Sequence, residues 1–128
     1  LGIDLNKHTA AHIYKAAQEG IAFAFRYGLD IMRENNLQPS VIKAGQANLF
    51  LSPVFTHAFV NTTGVPVALY NVEGSVGAAL GAGIGVGIYK ELKDAFADTK
   101  PIQRIEPTEA DQYNLLYENW KTKLAPFL

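Results

Sequence analysis

The stretch that decides the fold of this chain is SVIKAGQANLFLSP, residues 40–53. Val41 and Ile42 are β-branched and favour a short strand, and the small residues after them allow another group to approach the backbone closely. Ser52 and Pro53 form a typical helix N-cap and first helical residue. A strand that leads through a small-residue loop into a helix is a common nucleotide-binding position in α/β proteins, although many such loops are ordinary connections.

The residues that follow complete a strand–helix–strand pattern. A helix is predicted from Ser52 to about Thr62, with Val54, Phe55, Ala58 and Phe59 buried at helical spacing, and Gly64 ends it. The run VPVALY, residues 65–70, predicts a second strand, with Pro66 near its start, where a missing N–H is tolerated. Two strands joined by a helix are expected to be parallel. The sequence therefore predicts an α/β fold in which helices pack on a short parallel βαβ sheet.

The segment before this stretch predicts one long helix, from Thr9 to about Asn35. A helical wheel divides it into a face of small and apolar residues and an opposite face of polar residues. We expect the first face to be buried and the second to face solvent. The first face consists of Ile13, Ala17, Gly20, Ala24, Gly28 and Ile31, and the second of His12, Lys15, Glu19, Arg26, Asp30 and Arg33.

The segment after the second strand predicts further helices and a polar connection. Residues 75–86 are typical of a glycine-rich and alanine-rich helix, which we expect to be buried tightly because its side chains are small. Its glycines do not match the Gly-x-Gly-x-x-Gly dinucleotide pattern. A short helix is predicted over residues 90–97 and a polar connection over residues 98–107. The last helix is expected over residues 108–124, with a buried stripe formed by Tyr113, Leu116, Tyr117, Trp120 and Leu124.

The composition is that of one globular domain. The chain has 128 residues, of which 48% are hydrophobic, and its net charge of -1 argues against a dedicated nucleic-acid-binding protein. It has no cysteine, which excludes disulfides and thiolate chemistry. The longest apolar run, residues 76–89, is shorter than the about 20 residues that span a bilayer. We therefore expect a cytoplasmic protein, without a membrane or nucleic-acid partner, and the start of residues 1–7 in mid-pattern suggests a piece of a longer protein.

Residue chemistry alone predicts neither a catalytic site nor a metal site. The 3 histidines are His8, His12 and His57. The first two have the i,i+4 spacing of helical metal ligands, but no His-Glu-x-x-His pattern surrounds them. The 12 carboxylates are scattered without a convergent pair, and no Ser/His/Asp set can be placed from sequence order.

Several short motifs, in one order along the chain, resemble those of the FGGY carbohydrate kinases. Residues 16–23 (AAQEGIAF) are similar to the R-A-x-x-E-G-(I/V)-A-F helix of that family, and residues 43–47 (KAGQA) are similar to its (T/D)-G-G-G-A loop. Residues 52–55 (SPVF), 64–67 (GVPV) and 77–82 (GAALGA) resemble its S-P-L-W helix start, G-x-P-V strand and A-x-G-A-A helix. The combination is more specific than any one motif, and within the family it is closest to the xylulokinases.

The resemblance implies an actin-like ATPase, ribonuclease H-like fold. Residues 1–128 would be the later part of the second, nucleotide-binding domain of a kinase. Such a kinase transfers the γ-phosphate of ATP to a pentulose hydroxyl, with Mg²⁺ held mainly by parts outside this chain. A side chain at Gly45 would collide with a ligand lying on the backbone. By position, the residues that would line the nucleotide are Ala44, Gly45, Gln46, Ala47 and Asn48.

Two departures from the family pattern affect this predicted site. Ala44 and Gln46 stand where the family has glycines, and residues 48–50 resemble an insertion before the helix. The family's catalytic aspartate, its sugar-binding domain and its phosphate loops precede this segment. No catalytic residue is therefore assigned, Asp4 is not given that role, and we expect this chain by itself to be inactive.

Two alternatives stay open. The first keeps the family but changes the substrate to glycerol, gluconate, ribulose or rhamnulose, because the sugar is bound mostly by the other domain. The second is a non-catalytic α/β assembly module, in which an uncovered helix face and strand edge would form a homodimer.

Overall fold

The structure is a computed structural model that describes residues 2–72, 74–95 and 100–127. Helices and short strands alternate along the chain. In order they are α1 (Ala10–Glu34), β1 (Ile42–Gly45), the 3₁₀ turn Asn48–Leu51, α2 (Pro53–Thr63), β2 (Val67–Tyr70), α3 (Gly74–Gly85), α4 (Leu92–Ala95), β3 (Pro101–Ile105), α5 (Ala110–Leu124) and the 3₁₀ turn Ala125–Phe127.

The described strands form one mixed sheet in the order β1-β2-β3. β1 and β2 are parallel, with Ile42 opposite Val67 and Gly45 opposite Tyr70. Because α2 connects these two strands, the predicted parallel βαβ unit is confirmed.

The helix α2 begins and ends where the sequence predicts. The Ser52 hydroxyl accepts a hydrogen bond from the Phe55 N–H at 3.3 Å. Gly64 ends the helix in the left-handed conformation, φ 64°, which glycine adopts at little cost. Val54, which helical spacing also predicts to be buried, is 44% exposed. The buried apolar residues of α2 form the centre of the core and are Phe55, Ala58, Phe59 and Val60.

The prediction of a polar connection over residues 98–107 is wrong for residues 101–105, and residues 98–99 lie outside the described residues. Residues 101–105 form β3, which pairs antiparallel with β2 and places Ile105 opposite Val67. Because β3 is largely exposed and lacks a run of β-branched residues, its pairing with β2 determines its conformation more than its own propensity does. Pro101 lies at its first position, where a missing N–H is tolerated.

The helix α1 has the predicted length, but the prediction of its buried face is wrong. Thr9 is its N-cap, and its buried residues are Ala22 and Phe23. The face that was expected to be buried is exposed, apart from the half-buried Gly20. Instead, the side of α1 that contacts α2 and α5 is the one that carries the charged residues.

Polar contacts that a helical wheel cannot show explain this orientation. Arg26 donates a hydrogen bond to the Thr62 carbonyl at 2.6 Å, and Arg33 donates to the Thr63 carbonyl at 2.9 Å. These carbonyls lie in the last turn of α2, where a helix leaves its C=O groups without intrahelical donors. The two arginines therefore complete the C-terminal end of α2.

Asp30 joins the two arginines to α5. Its carboxylate accepts hydrogen bonds from Arg26 at 2.8 Å, from Arg33 at 3.1 Å and from the Tyr117 hydroxyl at 2.8 Å. Burial raises the pKa of Asp30, but the hydrogen bonds from Arg26 and Tyr117 and the charge of Arg26 outweigh it. The net result is that the pKa lies below its usual value.

The last helix, α5, begins at Ala110 and carries the predicted aromatic stripe only in part. Tyr113 and Tyr117 are buried, whereas Leu116 is 40% exposed. Trp120 is partly buried against the core. Its ring stacks on that of Tyr117 with a centroid distance of 6.0 Å.

A side chain from α2 caps the start of α5. The Asn61 amide oxygen accepts hydrogen bonds from the N–H groups of Thr108 at 2.7 Å and Glu109 at 2.6 Å. Because Asn61 is buried, this cap fixes the position of α5 on α2. Sequence analysis did not predict the contact, which joins residues far apart in the chain.

The predicted tight burial of the glycine-rich helix is also wrong. Within α3, Gly83 is the one buried residue among those described. Small side chains permit close packing but do not create it, and few described residues cover this helix.

Of the short helix predicted over residues 90–97, α4 is the described part, and residues 96–97 lie outside the described residues. In the part of the chain that the structure describes, no helix is long and apolar enough to cross a membrane.

Candidate functional site

A groove of about 430 Å³ lies at the carboxyl end of β1 and brings together most of the predicted site. Four of the five predicted residues line it, and Gln46 does not. We call this site the β1 groove. Its lining consists of Ala44, Gly45, Ala47, Asn48, Leu49, Phe50, Phe25 from α1, Phe55 from α2, Val72 after β2, and Gly74 and Gly77 of α3.

The backbone turns sharply at the rim of the β1 groove. The Gln46 N–H donates to the Tyr70 carbonyl at 2.8 Å, which extends the pairing of β1 with β2 by one residue. The Ala47 N–H then donates to the Gly45 carbonyl at 2.8 Å, a γ-turn with Gln46 at its centre. Asn48 follows with a left-handed backbone, φ 51°, and starts the 3₁₀ turn.

The structure gives a different reason for Gly45 from the one that the sequence predicted. A side chain there was expected to collide with a ligand. The structure shows that a Cβ at this position would overlap the backbone carbonyl oxygen of Val72. Glycine is therefore required because β1 ends against the loop after β2, and the close contact is internal to the protein.

Aromatic rings fix the wall of the β1 groove. The ring of Phe50 lies with centroid distances of 5.3 Å from Phe55 and 5.2 Å from Phe59, both edge to face. Phe25 contacts Phe59 in the same way at 5.4 Å. Such contacts favour defined ring positions. Residues 48–50, which resemble an insertion in the sequence, thus contact the core through Phe50.

The β1 groove has an apolar lining with one polar side chain. Among its described lining residues, Asn48 alone carries a side-chain amide, and none carries a charge. Such a groove can bind a flat, largely apolar ligand and offer it one donor and one acceptor. None of the lining residues that the structure describes carries a group that could act as a general acid, base or nucleophile. No three His, Asp or Glu side chains of the described residues lie close enough to hold a metal ion.

A second cleft, of about 460 Å³, lies where α1, α2 and α5 meet, and sequence analysis did not predict it. We call it the His57 cleft. The His57 ring lies 3.6 Å from the Glu109 carboxylate. The Tyr113 hydroxyl donates to Glu19 at 3.4 Å. Its lining consists of Lys15, Glu19, Pro53, Val54, His57, Glu109, Gln112, Tyr113 and Leu116.

Burial and the nearby Glu19 carboxylate raise the pKa of Tyr113 to about 12, so its hydroxyl stays protonated at neutral pH. The polar groups of this cleft are paired with one another across three helices. No local pattern could have revealed them, because Tyr113 and Glu19 are 94 positions apart.

The other two histidines have structural roles. The His8 ring accepts a hydrogen bond from the Asp4 N–H at 2.9 Å. The His12 ring accepts one from the Thr9 N–H at 3.2 Å. Both contacts order the start of α1, and neither ring lines the β1 groove or the His57 cleft.

Comparisons with known proteins identify relatives over nearly the whole chain. L-xylulose/3-keto-L-gulonate kinase of Escherichia coli (strain K12) is 30% identical over 125 residues, which are 92% of this chain and 24% of that protein. Glycerol kinase of Enterococcus faecalis (strain ATCC 700802 / V583) is 30% identical over 122 residues, 91% of this chain and 24% of that protein. No family model matches.

Among solved structures, that of xylulose kinase from Rhodospirillum rubrum superposes with a TM-score of 0.77 at 28% identity, over 99% of this chain and 27% of the other. The chain thus spans about a quarter of the length of the proteins that it matches. The resemblance to the FGGY carbohydrate kinases, and among them to the xylulokinases, is therefore confirmed for this chain, which has the actin-like, ribonuclease H-like fold of one part of those enzymes.

Proposed function

We propose that this chain is the C-terminal, nucleotide-binding part of an ATP-dependent sugar kinase and that the β1 groove receives the nucleotide. The observation that carries this proposal is the convergence of Ala44, Gly45, Ala47 and Asn48 on one groove. These are four of the five residues that the family resemblance assigns to the nucleotide. They lie at the carboxyl end of a parallel strand, where α/β folds commonly bind such ligands.

The lining of the groove suits the nucleobase end of ATP. Its volume is within the range of small-molecule sites, which are mostly apolar with a few polar groups. Asn48 adopts a left-handed backbone for which glycine would be the least costly residue. An asparagine here therefore adds an amide group to the groove, and we assign to it the hydrogen bonds with the base edge.

The described lining residues of the groove do not suit the metal ion that phosphoryl transfer requires. None of its described lining residues is a carboxylate, the type of ligand that Mg²⁺ prefers. Positioning and neutralisation of the phosphates dominate this reaction. We therefore assign nucleotide binding to this chain, and the Mg²⁺ site and catalytic base to the remainder of the kinase, so the chain by itself is expected to be inactive.

We further propose a pentulose as the phosphate acceptor and the cytoplasm as the location. Two of the relatives bear the names L-xylulose/3-keto-L-gulonate kinase and xylulose kinase, which support this acceptor. The similarity to a glycerol kinase keeps another sugar or polyol as the alternative. Activity of the complete kinase with xylulose, ribulose and glycerol, compared as kcat/KM, distinguishes them.

A matched pair of substitutions tests the role of the β1 groove. Asn48 and Asn36 both have a left-handed backbone, φ 51° and 63°, but only Asn48 lines the groove. Asn48→Ala and Asn36→Ala therefore add similar backbone strain, whereas only the first removes a groove amide. We expect Asn48→Ala to weaken ATP binding about tenfold, the value of one hydrogen bond, and Asn36→Ala to leave it unchanged. Isothermal titration calorimetry measures both, and equal affinities for the two variants would contradict the assignment.

The uncovered apolar face of α1 favours a second candidate function, that of a non-catalytic assembly module. Tyr14 and Phe25, which extend the exposed face formed by Ile13, Ala17, Ala24, Gly28 and Ile31, are 68% and 54% exposed, and such patches mark interaction surfaces. In that case the chain would form a homodimer independently of nucleotide. Sedimentation with and without ATP separates the two functions. A mass that increases with protein concentration and does not change with ATP, in a chain that does not bind ATP, supports only the assembly module.

A further inference from the structure

We propose that Gln18 of α1 is a positioning residue for the nucleotide site, because its hydrogen bond with Ser52 fixes the turn that carries Asn48 into the β1 groove. This inference rests on the proposed function, since it requires that the groove receive the nucleotide. It adds a residue that does not itself line the groove. The family resemblance does not assign that residue, because position 18 is open in the R-A-x-x-E-G-(I/V)-A-F pattern.

The hydroxyl of Ser52 joins α1 to the start of α2. It donates a hydrogen bond to the side-chain oxygen of Gln18 at 2.7 Å, and it accepts one from the Phe55 N–H at 3.3 Å as the N-cap of α2. A serine hydroxyl has one proton and two lone pairs, so both bonds can form at once. Gln18 and Ser52 are half-buried and 34 positions apart. Their contact therefore holds the start of α2 on α1.

Ser52 also ends the turn that enters the β1 groove. It is the C-cap of the 3₁₀ turn Asn48–Leu51, and its N–H donates to the Leu49 carbonyl at 2.9 Å. Its own carbonyl accepts hydrogen bonds from the N–H and the hydroxyl of Thr56, each at 3.0 Å. A shift of Ser52 would therefore strain the turn before it as well as the helix after it.

The turn has two anchors, and Asn48 depends on both. One is the ring of Phe50, which lies 5.3 Å from the ring of Phe55 between centroids. The other is Ser52 with its bond to Gln18. Asn48 has a left-handed backbone, φ 51°, and a residue other than glycine keeps such a conformation when the surrounding structure fixes it. Loss of one anchor should therefore displace the Asn48 amide from the groove.

The contribution of α1 to the groove extends over two turns of the helix. Gln18, Ala22 and Phe25 follow the i,i+4,i+7 spacing of one helix face. Ala22 is buried, and Phe25 lines the groove. The same face of α1 thus supplies one wall of the groove directly and positions the opposite turn through Gln18.

Three substitutions in the complete kinase polypeptide that contains this chain test the proposal. Gln18→Met removes the acceptor oxygen at similar size, and Gln18→Glu keeps an acceptor for the Ser52 hydroxyl. Gln112→Met is the matched control, because Gln112 is exposed on α5 and does not line the groove. Methionine and glutamate are good helix formers, and circular dichroism verifies that each variant is folded. Isothermal titration calorimetry measures the affinity for ATP.

We expect Gln18→Met to weaken ATP binding about fivefold, less than the loss of one whole hydrogen bond to the ligand because the turn keeps its Phe50 anchor. Gln18→Glu and Gln112→Met should leave the affinity unchanged. In the Asn48→Ala background we expect Gln18→Met to cause no further loss, because a positioning residue acts only through the group that it positions.

A purely structural role of Gln18 would give a different result in this cycle, since Gln18→Met would then weaken binding equally with and without the Asn48 amide. That result would overturn the proposal, as would an unchanged affinity of the Gln18→Met variant or equal losses in the Gln18→Met and Gln18→Glu variants. A wild-type kinase that does not bind ATP would overturn the proposed function together with this inference. A wild type that binds ATP as tightly as its Gln18→Met variant would overturn this inference alone.

Discussion

The β1 groove and the His57 cleft have similar volumes, about 430 and 460 Å³, but opposite linings. The cleft gathers a lysine, two glutamates, a histidine and a tyrosine, whereas the described lining of the groove has one polar side chain and no charge. Judged by side-chain chemistry, the cleft would be the functional site. Its polar groups, however, pair with one another and join three helices. The difference teaches that titratable residues can serve assembly of the fold, while the site that we propose for the nucleotide consists of small residues, backbone and aromatic rings.

The largest expected effect concerns the contacts of Asp30 between α1 and α5. Asp30→Ala leaves Arg26 and Arg33 without their shared carboxylate and the Tyr117 hydroxyl without its acceptor. We expect the free energy of unfolding to fall by about 3 kcal/mol, because partly buried charges lose their partner. Since α5 does not line the β1 groove, nucleotide affinity of the folded protein should not change.

Urea denaturation followed by circular dichroism measures this loss. Glu118→Ala is the matched control, because Glu118 forms an exposed ion pair with Lys121 on α5, worth at most about 0.5 kcal/mol. A loss for Asp30→Ala no larger than that of the control would contradict the importance of the Asp30 contacts.

The next effect concerns the groove itself. Gly45→Ala forces a Cβ against the Val72 carbonyl, and we expect it to cost about 2 kcal/mol of stability, as overpacked sites do. Gly28→Ala is the matched control, because no neighbouring atom lies within 4 Å of the added Cβ and alanine is the better helix former by about 1 kcal/mol. The two substitutions should therefore shift the melting temperature in opposite directions. If Gly45→Ala did not change the melting temperature, the end of β1 would be able to move away from Val72, which would contradict this account.

The smallest expected effect is a pH dependence of the stability, which arises from the contacts of Asp30 and not from the groove. Burial raises the pKa of Asp30, but the hydrogen bonds from Arg26 and Tyr117 lower it by more. A carboxylate whose pKa is lowered on folding stabilises the fold above its unfolded pKa of about 3.9 and loses this contribution as the pH falls through its folded pKa. The stability difference between the wild type and Asp30→Asn should stay constant from about pH 8 to pH 5 and shrink below about pH 4. A difference that grew in acid would contradict this account.

Local signals in the sequence predicted the βαβ unit and its helix boundaries. Ser52 and Gly64 determine where α2 begins and ends through contacts within a few residues, so no tertiary information was needed. Four of the five predicted groove residues come together for the same reason, because they lie at the end of one strand and directly after it.

The features that the sequence did not predict depend on distant partners. Helical periodicity assumes that apolar residues are buried, but Arg26 and Arg33 orient α1 through carbonyls of α2. The extended conformation of β3 depends on its pairing with β2. The His57 cleft and the cap of α5 by Asn61 join residues separated by 47 to 94 positions, and such contacts have no local pattern.

The most direct test of the central claim is a titration of the ¹⁵N-labelled chain with ADP and MgATP to millimolar concentration, followed by amide NMR shifts. This account predicts shifts at Gly45, Ala47, Asn48 and Gly77, which line the β1 groove, and none at His57 of the other cleft. Shifts confined to His57 and its neighbours would contradict it and would make the charged cleft the nucleotide site.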